Sequence, residues 1–266
     1  MRSFKDKVAV ITGAGSGIGR ALAQDLATRG ARLALSDVDG TGLAGTLELC
    51  RGAEARTYRL DVSKREQVFA HADEVKHDFG TAHCLINNAG VTLSATVEHC
   101  TIEEFEWLLG INLWGVIYGT KAFLPMMLAQ REGHIVNISS VFGLVSAPTQ
   151  GAYNVTKFGV RGLTECLWRE LEGTGVGATC VHPGGVRTNI AKAAPTGKLA
   201  GEYEREKLGV VDTLLVTPPE DCARDILDGV ERGRKRIVTG NKSGLVELVS
   251  RLLPTSHGWV MQRFGM

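Results

Sequence analysis

Tyr153 and Lys157 stand four residues apart in the stretch Tyr-Asn-Val-Thr-Lys, inside a region that we predict to be a helix from 151 to 171. Residues four apart share one face of a helix, so the lysine ammonium would lie close to the tyrosine phenol. A nearby positive charge favours the phenolate and lowers the tyrosine pKa from its usual value of about 10. Such a phenol can give or take a proton near neutral pH. The same spacing also suits a surface tyrosine packed on a lysine stem, so the pair alone does not decide.

A glycine-rich segment near the start of the sequence predicts a second kind of site. The apolar run from Val8 to Ile11 is typical of a buried strand, and helix-forming residues extend from Arg20 to Arg29. Between them lies Thr-Gly-Ala-Gly-Ser-Gly-Ile-Gly, residues 12–19. Glycines let the backbone approach a pyrophosphate, and the first turn of a helix offers unpaired N–H groups. We therefore predict a dinucleotide site, with a tight structural turn as the alternative, at Gly13, Ser16, Gly17, Ile18 and Gly19.

Asp37 follows the second predicted strand, which covers residues 32–36. An acidic residue about 20 positions beyond the glycine loop can accept a hydrogen bond from the ribose 2′-OH of NAD, and it would repel a 2′-phosphate. Neither Ser16 nor Val38 supplies a cation for that phosphate. We therefore predict NAD, with NADP less favoured. The alternative is that Asp37 or Asp39 caps the next helix.

Strands and helices alternate along the following part of the chain. We predict helices at 42–51 and 64–79, and strands at 55–60 and 84–86. This alternation favours a parallel sheet covered by helices on both faces. Ligands of such sheets bind at the carboxyl ends of the strands. The residues at these ends that we expect beside the cofactor are Asp61, Val62, Asn88, Ala89 and Gly90.

Two of the predicted helices begin with capping signals. Ser63 with Glu66, and Thr101 with Glu104, have the spacing of capping boxes. The second pair opens the longest helical region, which we predict from 101 to 130. Further elements are predicted as strands at 134–138, 177–181 and 236–239 and a helix at 220–231. The whole pattern indicates one doubly wound α/β domain over residues 1–266, with about seven strands.

Two later segments depart from this alternation. From 186 to 217 the periodicity fades around several prolines and glycines, with a short helix expected at 202–208. A long irregular segment beside a site is often a lid. Residues 243–266 have apolar residues at helical spacing, which predicts a hydrophobic tail packed on the body or on a partner subunit. Peripheral membrane contact through this tail is left open.

Composition excludes several classes of partner. The 266 residues are 44% hydrophobic and 22% charged with a net charge of +1, so neither nucleic acid nor anionic lipid is favoured. The six cysteines include no Cys-x-x-Cys pair, which indicates buried thiols, without a disulfide framework or a metal site. The N-terminal residues do not have the pattern of a secretory signal, and no apolar run is long enough to span a membrane. We expect a cytoplasmic protein.

The ordered set of motifs resembles the short-chain dehydrogenase/reductase family. Ser140 precedes Tyr153 by thirteen residues, as in the family pattern. The other matching pieces are Thr12–Gly19, Asn87–Gly90, Asn112, Tyr153 with Lys157, and Pro183 with Gly184. The likeness runs from about residue 7 to about residue 239. It implies a Rossmann-like domain with a seven-stranded sheet and a homodimer or homotetramer, although the apolar tail leaves the assembly open.

The resemblance also implies roles for individual residues. Tyr153 would be the catalytic acid/base, and Ser140 would hold the substrate oxygen. Lys157 would bind the nicotinamide ribose and lower the pKa of Tyr153. Asn112, which lies in a nearly apolar run, would hold a water molecule in a proton relay to Lys157. The Thr188 hydroxyl would approach the nicotinamide carboxamide, and further cofactor contacts would come from Pro183, Gly184 and Val186.

These inferences predict an oxidoreductase that transfers hydride between NAD(H) and a secondary alcohol or ketone. Apolar residues dominate the candidate substrate pocket, which favours a bulky, apolar substrate. Its candidate residues are Leu93, Ser94, Ser140, Phe142 and Val145, of which Phe142 and Val145 could instead be core. The alternatives are a non-catalytic dinucleotide sensor or scaffold, and a membrane-associated dehydrogenase of the lipid or retinoid type that uses the tail.

Overall fold

One parallel sheet organises the computed structural model, with the spatial strand order β3-β2-β1-β4-β5-β6-β7. The structure describes residues 1–188, 190, 194–206 and 215–258. Every neighbouring pair of strands is parallel. The strands are Val8–Thr12 (β1), Arg32–Asp37 (β2), Ala55–Arg59 (β3), Cys84–Asn87 (β4), Gly133–Ile138 (β5), Val176–Pro183 (β6) and Arg236–Thr239 (β7). The predicted seven-stranded, doubly wound α/β fold is confirmed.

Helices cover both faces of this sheet. In chain order they are Gly17–Thr28 (α1), Gly40–Leu49 (α2), Arg65–Phe79 (α3), Ile102–Leu109 (α4), Gly115–Gln130 (α5), Gly151–Glu170 (α6), Pro219–Glu231 (α7) and Ser243–Leu252 (α8). The interior strand β1 is buried on both faces, because α1 and α7 pack on one side and α3, α5 and α6 on the other. The order of strands reverses beside β1, so its carboxyl end opens at a crevice between β1 and β4.

The predicted capping signals have different outcomes. Thr101 and Glu104 form a capping box at α4, as expected. Ser63 does not cap α3, which begins at Arg65 without a side-chain cap. The Ser63 hydroxyl instead donates to the carboxylate of Asp61 at 2.7 Å, because that upstream acceptor competes for it. At α2 the capping residue is Asp39, whose carboxylate accepts a hydrogen bond from the N–H of Thr41.

Part of the irregular 186–217 segment is bonded to residues 94–99. Thr196 forms a β-bridge with Ser94. Glu204, which is 1% exposed, accepts a hydrogen bond of 2.6 Å from His99. Residues 202–206 form the beginning of the predicted short helix, and residues 207 and 208 lie outside the described residues. The lid itself stays a prediction.

The tail begins as the amphipathic helix α8. Ser243 and Val246 are buried against the body, whereas Leu245, Leu248 and Leu252 are exposed. Trp259, Met261 and Phe264, which we expected to continue the apolar tail, lie outside the described residues. None of the helices in the described part of the chain combines the length and the apolar character that crossing a membrane requires.

The six cysteines are all unpaired. Five of them are buried, as predicted, and Cys166 is exposed. The prediction of buried thiols therefore holds for five cysteines and is wrong for Cys166, which lies on the outer side of α6.

Candidate active site

A cavity of about 750 Å³ lies at the carboxyl edge of the sheet, where the β1–β4 crevice opens. The structure brings most of the predicted site residues to its wall. Those that line it are Gly13, Ser16, Gly17, Ile18, Asp37, Asp61, Val62, Asn88, Ala89, Gly90, Ser140, Phe142, Val145, Tyr153, Lys157, Pro183, Gly184, Val186 and Thr188. Gly19, Leu93, Ser94 and Asn112 do not line it.

The glycine-rich turn forms one end of the cavity. Gly13 has φ +68, and a Cβ there would lie 2.8 Å from the Cα of Ala89. Gly17 has φ +52, and a Cβ there would lie 3.2 Å from the Thr188 side chain. Side chains would therefore strain and fill this end, so the glycines keep it open. The first turn of α1 adds free N–H groups, which suit a phosphate.

Gly19 packs against the side of the glycine-rich turn that faces away from the cavity. A Cβ at this position would lie 2.1 Å from the carbonyl oxygen of Gly13, which is a severe steric clash. The glycine therefore lets α1 pack closely on the turn. Gly19 is buried under the turn and does not line the cavity, so its contact with the cofactor stays a prediction.

Asn88 connects the glycine turn to the end of β4. Its side-chain amide donates to the carbonyls of Thr12 at 3.0 Å and Gly13 at 3.1 Å. In return the Thr12 hydroxyl accepts hydrogen bonds from the N–H groups of Asn88 and Ala89, both at 3.1 Å. The predicted cofactor residue is thus a support that fixes the turn on the neighbouring strand.

Asp37 lines the cavity and also supports the glycine turn. One carboxylate oxygen accepts a hydrogen bond of 2.8 Å from the N–H of Gly15, and the other accepts one from Asp39. Each oxygen keeps a lone pair, since a carboxylate has about four acceptor sites. In the described part of the chain, the cationic residues of the cavity wall are Lys157 and Lys242, and neither belongs to the strand ends that carry Asp37 and Asp61.

The serine, tyrosine and lysine of the predicted catalytic set converge at the other end. Ser140 follows β5, and its hydroxyl oxygen accepts a hydrogen bond of 3.1 Å from the N–H of Phe142. Tyr153 and Lys157 lie in the first turns of α6, with the lysine Nζ 5.5 Å from the tyrosine ring centroid. The same Nζ donates a hydrogen bond of 3.0 Å to the carbonyl of Ile138. One face of α6 therefore carries both groups, as the spacing predicted.

The electrostatics of this group differ from our expectation. Burial raises the pKa of Tyr153 to about 12, and the neighbouring Ser140 hydroxyl only partly opposes the shift. Burial also lowers the pKa of Lys157 to about 8. We predicted that Lys157 would lower the pKa of Tyr153, and in this structure the effect of burial dominates. The reason is that burial away from water disfavours the charged form of both side chains.

Asn112 lies immediately behind the cavity wall, in a π-helical turn at Gly110–Trp114 between α4 and α5. Its side chain accepts from the N–H of Val91 at 2.8 Å and donates to the Val91 carbonyl at 2.8 Å. A Cβ on Gly90 would lie 3.3 Å from Asn112 Oδ1 and 3.5 Å from Lys157 Nζ. The fold thus brings Asn112 close to the lysine without exposing it to the cavity. Its role in a water relay stays a prediction.

The end of the cavity beside Tyr153, where we predict the substrate, has apolar side chains in its wall. Phe142 stands edge-on to the Tyr153 ring at 6.3 Å between centroids, and Val145 lies deeper in the wall. Asn154, inside the tyrosine–lysine motif, holds this loop by donating to the carbonyls of Phe142 at 2.7 Å and Val145 at 2.9 Å. Phe142 and Val145 both line the cavity, and Val145 is at the same time part of a buried apolar cluster with Leu144 and Val246.

Leu93 and Ser94 do not line the cavity, so their contact with a substrate stays a prediction. Ser94 is 1% exposed because its hydroxyl donates to the carbonyl of Glu204 and its backbone bridges to Thr196. Leu93 packs in an apolar cluster that also contains Leu108 and Tyr153, so it lies behind the wall and not on it. At Ser94 the chain runs under the 194–206 segment, which covers it.

Sequence reasoning missed several residues of the wall. Val91, Thr92 and Gln150 lie in loops that carry no motif, so no sequence signal marks them. Asn241, Lys242 and Val246 come from the start of α8, and the apolar spacing of the tail showed only that this helix packs on the body. The remaining missed residues are Val38, Leu60, Trp107, Ile111, Ile138, Ser139, Val141 and Gly185. Ile190, Pro195 and Leu215 also line the cavity, and they belong to the 186–217 segment that we predicted to lie beside the site.

A glycine-rich turn after the first strand of a doubly wound parallel sheet, facing a serine, a tyrosine and a lysine, defines a Rossmann-like oxidoreductase. Residues 7–198 match the sequence profile of the short chain dehydrogenase family. The chain therefore belongs to the short-chain dehydrogenase/reductase family, as its motifs predicted.

Individual relatives cover nearly the whole chain. The Mycobacterium tuberculosis protein named "Putative oxidoreductase SadH" is 47% identical over 97% of this chain and 94% of its own length. Human estradiol 17-beta-dehydrogenase 11 is 32% identical over 98% of this chain and 84% of its own length. Among solved structures, a short-chain dehydrogenase/reductase from Burkholderia phymatum in complex with NAD is 36% identical, with a TM-score of 0.87 over 96% of each chain.

Proposed function

We propose that this protein transfers hydride between NAD(H) and a secondary alcohol or ketone. The observation that carries the proposal is the convergence of Ser140, Tyr153 and Lys157 on one end of a cavity whose other end is the glycine-rich turn. A dinucleotide that spans the cavity would place its pyrophosphate at the turn and its nicotinamide beside the tyrosine. The likeness to the NAD complex from Burkholderia phymatum supports this arrangement.

The residues of the wall divide the work of such a reaction. The bound nicotinamide would supply or accept the hydride. Tyr153 would give the proton to the substrate oxygen in reduction and remove it in oxidation. The Ser140 hydroxyl would donate a hydrogen bond to the same oxygen and stabilise its developing charge. Lys157, held by the carbonyl of Ile138, would offer its other N–H groups to the ribose and favour the phenolate.

The preference for NAD over NADP depends on Asp37. Its carboxylate lies on the cavity wall, where it could accept hydrogen bonds from a ribose diol. A 2′-phosphate there would meet Asp37 and Asp61 without a facing cation, which disfavours the phosphorylated cofactor. Gly13, Gly17 and Gly90 would leave room for the rest of the dinucleotide, since each lacks the side chain that would fill the cavity.

The substrate end favours a bulky and apolar alcohol or ketone. Phe142, Val145 and Val246 contribute apolar side chains to the wall next to Tyr153. The 186–217 segment would act as a lid over this end, because Val186, Pro195 and Leu215 line the cavity from it. We expect closure to exclude water from the reacting atoms.

The exposed leucines of α8 favour a second possibility, that the same enzyme acts on lipid-like substrates at a membrane surface. Leu245, Leu248 and Leu252 form an exposed apolar stripe on the outward side of the helix whose inward side lines the cavity. Sedimentation with liposomes tests this, comparing the parent protein with a variant in which these three leucines are serine. Equal sedimentation of both would contradict it.

The experiment that tests the main proposal compares Tyr153→Phe with the parent and with Tyr118→Phe. Tyr118 stacks on Trp114 away from the cavity wall, so it is the matched control. With NAD and a panel of secondary alcohols, Tyr153→Phe should lose turnover by about 10³-fold while the dinucleotide Kd stays the same. Retained turnover in Tyr153→Phe would refute the assignment, and a parent that turns over no alcohol or ketone would refute the activity.

A further inference from the structure

His182 lies near the end of β6, beside the catalytic serine, and has no exposed surface. Its ring nitrogen Nδ1 is 2.8 Å from the carbonyl oxygen of Ser140. The ring does not line the cavity, so it would touch neither substrate nor cofactor. Any influence on the chemistry would therefore act through Ser140.

The contact fixes the proton on the imidazole. A carbonyl oxygen can only accept, so Nδ1 must carry the hydrogen in this bond. In the neutral ring, Nε2 then holds a lone pair, and among the described residues it has no hydrogen-bond partner. Burial lowers the pKa of His182 to about 4, so the ring stays neutral at ordinary pH. It is therefore a fixed donor to one acceptor.

The Nδ1–H of His182 adds one side-chain hydrogen bond between β5 and β6, just after the last backbone hydrogen bond that joins these strands. The N–H of Ser139 donates to the carbonyl of Val181 at 2.8 Å. The side chain of the next residue, His182, then reaches across to the next carbonyl, that of Ser140. The same oxygen accepts from the N–H of Gly143 at 2.9 Å, which closes the turn after β5. Both lone pairs of the Ser140 carbonyl are thus engaged.

A leucine of similar volume would fill the same apolar space without leaving Nε2 unpaired, and burying an unpaired polar atom is unfavourable. The sequence nevertheless has histidine here. The gain that offsets this cost is the bond to the Ser140 carbonyl, which restricts the peptide plane that carries the catalytic hydroxyl. Misplacement of a catalytic group by about 1 Å can lower a rate by about 100-fold.

We propose that His182 is a positioning residue, whose Nδ1–H holds the backbone of Ser140 so that the serine hydroxyl and the Tyr153 phenol address the same substrate oxygen. The proposal rests on the alcohol dehydrogenase function proposed above. It assigns the histidine no proton transfer.

Substitutions can separate hydrogen bonding from packing. His182→Asn keeps an N–H donor near the position of Nδ1, whereas His182→Gln carries its amide one carbon further out and His182→Leu has no donor. His134→Leu is the matched control, because His134 is also buried, on the neighbouring strand β5, and bonds to Thr179 far from Ser140.

We expect His182→Leu and His182→Gln to lower kcat by about 10- to 100-fold while the dinucleotide Kd is retained. His182→Asn should stay within about threefold of the parent, and His134→Leu should lower Tm without lowering kcat. The rise of the oxidation rate with pH should also move to higher pH in the Leu and Gln variants, because a displaced Ser140 hydroxyl stabilises the phenolate less.

Parent kcat in folded His182→Leu or His182→Gln, or an equal loss in His182→Asn, would overturn the proposal. If the Leu variant does not fold, the comparison of Asn with Gln still decides. Nitrogen-15 NMR of the parent protein gives an independent measurement that needs no turnover. It should show a protonated Nδ1 and an unprotonated Nε2 on His182, and the opposite tautomer would overturn the proposal even if the dehydrogenase activity is established.

Discussion

The ammonium group of Lys157 donates a hydrogen bond of 3.0 Å to the carbonyl oxygen of Ile138. This bond ties α6 to the end of β5, two residues before Ser140. Lys157 is 3% exposed, so its charge is held in a dry environment at a fixed place. The position therefore requires a compact cation with several donors, which a planar guanidinium does not reproduce.

We expect Lys157→Arg to lower kcat by about 100-fold even though the charge is kept, because the larger head group cannot occupy the same space beside Ile138. Lys157→Met should lower it further and also weaken dinucleotide binding. Steady-state kinetics with the alcohol substrate and a separate measurement of the dinucleotide Kd check this. Lys121→Arg, on the exposed side of α5, is the control. Parent kcat in Lys157→Arg would show that only the charge matters.

The rate of alcohol oxidation should rise with pH. Burial raises the pKa of Tyr153 to about 12, so the phenolate that would accept the substrate proton is a minor form at neutral pH. Well below that pKa, its population grows about tenfold for each unit of pH. Single-turnover hydride transfer between pH 6 and 9 measures the dependence. A flat profile, with hydride transfer shown to limit the rate, contradicts the role of Tyr153 as base.

Asp37→Arg should exchange the cofactor preference. The carboxylate faces the cavity and also accepts a hydrogen bond from the N–H of Gly15. Removal of the carboxylate should weaken the binding of NAD by about tenfold, and the new cation should strengthen the binding of NADP. Asp37→Asn separates the two effects, since it keeps an acceptor for Gly15 and removes the negative charge. Titration of both dinucleotides against all three proteins checks this. Unchanged NAD affinity in Asp37→Arg would rule out the ribose contact.

His71 should make the protein sensitive to acid. The ring is 3% exposed between Tyr58 and Phe123, and neither nitrogen has a hydrogen-bond partner among the described residues. Burial lowers its pKa to about 4, below the unfolded value of about 6.5. The unfolded state therefore binds more protons between pH 6.5 and pH 4, so the free energy of unfolding falls as the pH drops through this window. By pH 5 the loss is about 2 kcal/mol.

His71→Phe should remove this contribution of about 2 kcal/mol, because it removes the proton-binding group and keeps an aromatic ring against Tyr58 and Phe123. The pKa values of the buried His134 and His182 are also lowered, so these two residues keep their own contributions. Urea unfolding at pH 7 and pH 5 measures the difference. His77→Leu is the control on the same helix, since its side chain is 88% exposed. If His71→Phe loses as much stability as the parent between pH 7 and pH 5, His71 does not contribute to the sensitivity to acid.

Val246→Trp should narrow the substrate end. Val246 is buried at the inner side of α8, packs with Leu144 and Val145, and lines the cavity. A larger side chain there takes up part of the volume, so kcat/KM for bulky alcohols should fall by about tenfold or more, while small alcohols are little affected. Leu248→Trp, on the exposed side of the same helix, is the control. Equal loss for small and bulky substrates would contradict a role in selectivity.

The cofactor end of the site could be predicted because its chemistry requires particular residues at short spacing. Gly13 and Gly17 stand out by type, and Asp37 by its distance from them. Tyr153 and Lys157 share a helix face whatever the rest of the fold does. Each of these signals is local, and the parallel sheet brings their strand ends to the same edge.

The substrate end could not be predicted in the same way, because it depends on contacts between distant parts of the chain. Ser94 leaves the wall because residues 194–206 cover it, and Val246 enters the wall because α8 folds back over the loop after β5. Apolar residues there resemble ordinary core residues in sequence. The prediction that Ser63 caps α3 is wrong for a local reason, since the Ser63 hydroxyl donates a hydrogen bond to Asp61 instead.

The position of Val246 in the cavity wall has a consequence for how the site is completed during synthesis. Gly13 and Asp37 emerge from the ribosome long before α8, which follows every strand of the sheet. A domain generally folds as a unit, so the cavity would form only when most of the chain has been made. Because α8 follows the last strand, the part of the wall around Val246 would be completed late. Selectivity for a substrate would be acquired only after α8 has docked.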